Sequence, residues 1–325
     1  NGSISNGAIS GDFTLESGSI SAVLGGSGNL TKNTGGTVTL TGNNTYAGIT
    51  TLNAGTLVVD GTHSGTSTVS VNSGATLKGS GSLSGTTTLN SGATVLAGNS
   101  IGTLGFANLT LEGGGNYNWQ IDDATGSAGT NWDQLNVSGT LTINATSGNK
   151  FNVNVWSLLS NGSNGEVANF KPTESLYTWP IITAGSILNF DADAFQINTD
   201  PTNGTGGLIS PYQVDGFTVV QQGNTIALQY DPPSAQTIDG TNNGTEISNY
   251  TTSNTAGALT LDLGFFADYL IVGGGGGGGR AYRAYSAGGG GGGQVLAGSK
   301  RLLGQDYAIT VGTGGAGSSS TNSPG

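Results

Sequence analysis

A short phrase recurs through the first hundred residues, and it restricts the fold more than any other feature. Gly36, Gly55, Gly74 and Gly92 open GTVTL, GTLVV, GATLK and GATVL at steps of 19, 19 and 18 residues, and Gly18 opens GSISAV one step earlier. Asn53, Asn72 and Asn90 stand two places ahead of three of these glycines, in LNAG, VNSG and LNSG. A unit this small cannot enclose a core, so it buries apolar surface only by stacking on its neighbours. Within each unit Thr, Val, Leu and Ile alternate with a period of two between Gly, Asn and Ser, which is the pattern of short strands joined by tight turns. Two or three strands per turn of this length make a parallel β-helix, whose rungs pair at about 4.8 Å. Leu52, Val71 and Leu89 are expected to stack inward, as are Leu40, Leu57, Leu77 and Val95, with the asparagines forming a ladder at the turns.

Composition narrows the function. Nineteen acidic and eight basic residues give a net charge of −11, the wrong sign for nucleic acid, whose phosphates require a basic footprint. The chain contains no cysteine, so neither disulfides nor thiol chemistry operate, and it contains no methionine. The missing initiator methionine is expected of a processed chain or of a segment of something longer. No apolar run reaches the length of a transmembrane helix. The 61 glycines of 325 residues would suit a disordered chain, but the evenly spaced Val, Leu and Ile argue for ordered β structure.

The stretch TLTGNNTYAGITTLNAGTLVV resembles the autotransporter-associated β-strand repeat, also called the passenger-associated transport repeat. The likeness is close over 36–60 and looser over 11–155. It implies an exported, non-catalytic passenger or stalk on a Gram-negative type envelope, located at the cell surface or outside it. NSIGTL, followed by a Trp-Asp turn and GTLTI, resembles the way such repeat regions close. Trp119, Trp132 and Trp156 are expected to plug that end.

After residue 155 the period is lost. FTVVQQ and TIALQY flank Gly223-Asn224, a two-residue hairpin signal, and Asp231-Pro232-Pro233 then interrupts any strand. These features divide the chain into a β-helix over 1–155, a β-rich cap over 156–232 and a glycine-rich module over 233–325. The last of these holds glycine runs at 273–279 and 288–293 beside the apolar segments YLIV and QVL. It resembles the glycine-rich domains of bacterial surface proteins and phage tail-tip adhesins, where glycine strands pack at close approach. The fold expectation is therefore all-β, a parallel β-helix shaft with a β-rich cap and a glycine-rich, polyglycine-strand C-terminal module.

Chemistry-bearing motifs are sparse. DYLIVGGGGGGG formally contains the G-x-G-x-x-G dinucleotide fingerprint, but a run of glycines satisfies any glycine motif and no long helix follows. His63 is the only histidine, in a GTHSG turn where a solvated ring is expected, so neither a histidine triad nor a multi-histidine metal site can form. Asp122, Asp123 and Asp133, or Asp191 and Asp193, could offer oxygen ligands to calcium but lack the spacing of a known calcium loop. Lys32, Lys78 and Lys150 lie away from any carboxylate cluster in sequence, which disfavours a polysaccharide lyase or glycosidase. No cofactor is expected.

Half of the basic residues, Arg280, Arg283, Lys300 and Arg301, gather in the glycine-rich module, where Tyr282 and Tyr285 interleave with the first pair. With Gly275 and Gly290 they form the expected assembly or adhesion surface, or alternatively keep a glycine sheet soluble. The expected function is a non-enzymatic extracellular fibre or stalk subunit that self-associates head to tail through its β-helix ends and the glycine module. An adhesin that binds a host surface or glycans is the alternative, and a polysaccharide-active enzyme is the third reading.

Overall fold

A computed structural model of the protein describes residues 2–4, 8–65, 68–172, 175–210 and 216–232, together with the strands Gly257–Thr260, Phe265–Val272, Val295–Leu302 and Asp306–Ile309. The chain divides into two compact units, Asn1–Pro232 and Pro233–Gly325.

The first unit is a stack of parallel strands, all-β and coiled as a β-helix with three faces. Its first face is a nine-stranded sheet that runs from Gly2–Ile4 through Gly18–Ile20, Thr37–Leu40, Gly55–Val59, Ala75–Lys78 and Thr94–Val95 to Asn116–Ile121, Phe151–Ser157 and Phe195–Asn198. The second face holds short strands, among them Ala8–Ser10, Val23–Gly25 and Thr62–His63. The third begins with Phe13–Leu15, Leu30–Lys32, Thr50–Leu52 and Val69–Val71. From the fifth rung onward, single long strands serve both the second and third faces: Ser82–Leu89, Thr103–Leu111, Gln134–Ile143 and Tyr177–Leu188. Each bends where the register slips, between Leu83 and Thr86, Phe106 and Leu109, and Val137 and Thr140.

In-register pairing turns sequence alternation into continuous interior columns. Val38, Leu57, Leu77, Val95, Tyr117 and Val153 form one, and every member is buried. Leu52, Val71, Leu89, Leu111 and Ile143 form another. Each fully buried aliphatic side chain contributes about 1.5–3 kcal/mol. Leu40 faces inward too, but it stacks with Ile20 and Val59 rather than with Leu57. A two-residue displacement preserves the inward parity, so alternation alone cannot detect it.

Lys32 stands in the second column, between Leu15 and Leu52, although it is a cation. Its Nζ donates to the carbonyls of Glu16 (3.1 Å) and Thr34 (2.6 Å), which lie at the turn, and its stem fills the place of a leucine.

Rung length divides the shaft in two. First-face partners are 16–20 residues apart from Gly2↔Gly18 to Leu77↔Val95. The spacing then grows to 36 residues at Tyr117↔Val153, and on the third face to 46 at Leu141↔Ile187. The additional residues form loops over the C-terminal rungs. There the eleven-stranded sheet ends in the antiparallel hairpin Phe217–Gln222 and Thr225–Tyr230, with Gly223 left-handed at φ 59° in its turn. Pro180 sits at the bulge where Tyr177–Leu188 meets this hairpin, a place where no ladder donor is required.

An aromatic cluster fills the closed end. Trp179 stacks on Tyr177 at 5.2 Å and 6°, and Trp119, Phe170 and Phe217 lie within 6.2 Å of Trp179. Trp119 and Trp132 are buried as expected of a plug. Trp156 is not part of that plug: between inward-facing Val155 and buried Ser157 its side chain falls on the outer side of the strand, and Trp179 occupies the interior instead.

In the second unit, Phe265–Val272 and Val295–Leu302 pair antiparallel over eight residues, and Gly257–Thr260 pairs antiparallel with Asp306–Ile309. The glycine runs, with Gly275, Gly290, Arg280, Tyr282, Arg283 and Tyr285, lie outside the described residues. Lys300 and Arg301 fall within Val295–Leu302.

Candidate functional site on the shaft

The repeated Asn-x-Gly turns follow the third face at every regular rung. Asn53 Nδ2 donates to Asn33 Oδ1 (2.7 Å), Asn72 to Asn53 (2.7 Å) and Asn90 to Asn72 (2.8 Å), so the amides form an unbroken ladder. Asn144 Nδ2 donates to Glu112 Oε1 (2.7 Å) where longer rungs take over. Behind the amides, Gly55, Gly74 and Gly92 adopt φ of 69°, 78° and 76°, a conformation that only glycine reaches without strain. Gly74 N–H donates to Gly92 O, Gly92 to Gly114 O and Gly114 to Lys150 O, a backbone ladder parallel to the amide one. Gly36 aligns with Gly55, and a side chain there would meet Glu16 O at 2.8 Å; Gly18, in contrast, pairs with Val38.

Of the carboxylates that sequence reasoning offered to calcium, Asp122, Asp123, Asp133 and Asp191 are engaged in local hydrogen bonds. Asp123 accepts from both Thr125 N–H and Asn169 Nδ2, which holds its carboxyl below the usual range. Asp122 accepts from Asn131, and Asp191 caps the 3-10 turn Ala192–Ala194 by accepting from Asp193 N–H. Asp133 is fully buried: its oxygens accept from Gly102 N–H (2.9 Å) and Gln120 N–H (3.1 Å), and Trp119 Nε1 donates to its backbone carbonyl. Burial pushes this carboxyl well above the usual range, against the opposing pull of the two N–H groups and of Lys78. Asp133 thus clasps three elements at the start of the closed end. Among the described residues no three of His, Cys, Asp and Glu converge as a metal site would require.

His63 is buried rather than solvated. Thr62–His63 is a strand, not a turn; the ring packs on Tyr46 at 4.3 Å, and Nε2 lies 3.1 Å from Tyr46 O. That contact makes Nε2 the protonated nitrogen and leaves Nδ1 buried without a partner. Burial lowers its affinity for a second proton, with the Tyr46 carbonyl opposing. Burial likewise pushes the Tyr46 phenol up to about 12, opposed by its hydrogen bond with Thr50.

The bends in the long strands create an external groove of about 580 Å³ across four rungs. Ser84, Ala107, Ser138 and Gly185 line its floor, with Asn136 and Thr183 along one wall, where Thr183 Oγ1 donates to Asn136 Oδ1. No ionisable side chain lines it. It can exchange hydrogen bonds with an uncharged ligand, but it contains neither acid nor base to transfer a proton. Sequence reasoning did not find this groove. Its signal is the small-residue pair at each bend, in LSGT, VSGT and TAGS.

Comparison with known families agrees with this architecture. Residues 30–59 match the passenger-associated-transport-repeat model and residues 241–325 match the glycine-rich domain model. The first match covers the Asn33–Asn53 step of the amide ladder and the strands on either side. No curated protein matched the chain. One stretch of the chain is therefore similar to a passenger-associated transport repeat and another to a glycine-rich domain. Such a repeat points to an autotransporter passenger, a surface-associated protein found outside the cell, and away from an enzyme.

Proposed function

We propose that the protein is a rigid surface stalk that self-associates through its β-helix and its glycine-rich domain. The observation that supports this reading is the in-register stack of the first unit, whose strands pair from rung to rung around continuous columns of buried aliphatic side chains. Strand edges at the ends of such a stack template pairing with another strand. Joining through the glycine-rich domain of a neighbour gives a heterologous contact that does not close and so yields a filament.

Negative-stain electron microscopy of the full chain, with its intact mass, tests the proposal. Filaments with an axial repeat of one subunit are expected. Replacing Gly275 and Gly290 with tryptophan is expected to abolish them, and filaments that persist in that variant would remove the glycine-rich domain from the joint. Isolated rods would favour the adhesin reading, which the uncharged external groove supports as a site for a neutral surface glycan.

A further inference from the structure

The outward positions of the third face form a lattice. Pairing stacks Thr51, Ser70, Thr88, Thr110 and Thr142 in one column. Two residues earlier on each strand, Ile49, Thr68, Thr86, Asn108 and Thr140 stand in a second column, which Ser186 extends, while Leu188 follows Thr142 in the first. Rungs repeat at about 4.8 Å, and positions two apart along a parallel strand are separated by about 6.6 Å, so the side chains occupy a nearly rectangular net. Thr68, Thr86 and Ser186 are exposed, as are Ile49 and Leu188 at the ends of the columns, and the others are partly so.

Three features separate this net from the ordinary preference of strands for threonine. The hydroxyls of Thr51, Thr68, Thr86, Thr88, Thr110 and Thr142 have no hydrogen-bond partner among the described residues and are directed to solvent. The two columns contain no ionisable group; in the neighbouring amide ladder Glu112 is bonded to Asn144. The equivalent pair of columns on the first face is mixed, with Thr37, Thr56, Thr76 and Thr94 beside Thr39, Val58 and Lys78. Threonine is β-branched and stiff at χ1, and here it is mounted on a hydrogen-bonded sheet, so ordering it against a surface costs little entropy.

We infer that this face binds the ordered water of an ice surface, with the hydroxyl and methyl net of Thr51, Thr68, Thr86, Thr88, Thr110 and Thr142 seated on the repeat of the ice lattice. A neutral, regular and rigid net of groups that both donate and accept complements ordered water, which is itself neutral and regular. A crystalline polysaccharide is the other regular surface available, but no aromatic ring stands on the net to stack on sugar faces. The inference does not depend on the stalk reading, although it would give a stalk a surface to hold.

The test is partition of the full chain into slowly grown polycrystalline ice, alongside a pull-down on microcrystalline cellulose. The wild type is expected to concentrate in the ice fraction and stay off the cellulose. Thr88→Tyr with Thr110→Tyr should reduce partition by about tenfold or more, the scale of a lost hot spot, while circular dichroism and melting stay unchanged. Thr56→Tyr with Thr76→Tyr on the first face should leave partition as it was. Exclusion of the wild type from ice overturns the inference, as does equal loss in both variants. Retention on cellulose with exclusion from ice overturns it and reassigns the net to a polysaccharide.

Discussion

The regular rungs before Val95 and the long rungs after Tyr117 solve the same problem by different means. In the first set each rung resembles the next, contributes one residue to each column and contacts only its neighbours. Stability in such a stack is a sum of nearest-neighbour terms, and the outermost rung has only one neighbour. In the second set the loops return over the stack. Trp179 Nε1 donates to Ala124 O, Trp132 Nε1 to Pro180 O and Tyr230 OH to Pro172 O, joining residues 48–58 apart in sequence. Repetition makes a shaft that can be extended, whereas departure from repetition closes it.

Perturbing the closed end should therefore cost more than perturbing the ladders. The largest effect is expected from Trp179→Ala, which removes the centre of the aromatic cluster; about 3–5 kcal/mol should be lost, measured as a fall in the denaturant midpoint. Leu77→Ala, in the middle of a regular column, should cost about 2–5 kcal/mol by cavity formation. If Leu77→Ala proves the more damaging, the closed end is not the anchor.

Two buried groups sharpen the comparison through opposite pH dependences. The Asp133 carboxyl is raised above its ordinary 3.8, so its contribution is complete at low pH and is lost as pH rises through the folded value. His63 is lowered below 6.5, so its contribution is complete above that pH and is lost on acidification toward the folded value. Melting followed against pH should lose, in Asp133→Asn, the decline that sets in as pH rises above 3.8 and, in His63→Phe, the decline that sets in as pH falls below 6.5. Either profile unchanged in its variant would refute that assignment. The smallest effect belongs to Asn72→Ala, which removes one donor and one acceptor from a partly exposed ladder and should cost about 1 kcal/mol, read from the same denaturation experiment.

Much of the shaft was legible because its physics is periodic. The stack of Leu52, Val71 and Leu89 follows from alternation plus a fixed step, and the hairpin at Gly223-Asn224 follows from turn chemistry. The features that escaped are not periodic. Trp179 lies where the repeat has ended, so nothing in its neighbourhood marks it as interior. Asp133 reads as a candidate calcium ligand until the long rung folds Gly102 and Gln120 onto it. His63 reads as a turn residue because Gly61 and Gly65 bracket it; only the stacking of its rung on Tyr46 buries the ring. The groove arises from one-residue register slips, and in Thr103–Leu111 the slip breaks the alternation, with Phe106 and Leu109 both inward three residues apart.

Hydrogen exchange with mass spectrometry, performed over a series of protein concentrations, tests the central claim that repetition extends the shaft whereas the returning loops tie the long rungs together. The account predicts slower exchange over 134–157 than over the regular rungs 37–89, and added protection of the regular rungs as concentration rises. Equal, concentration-independent protection of both segments would contradict it.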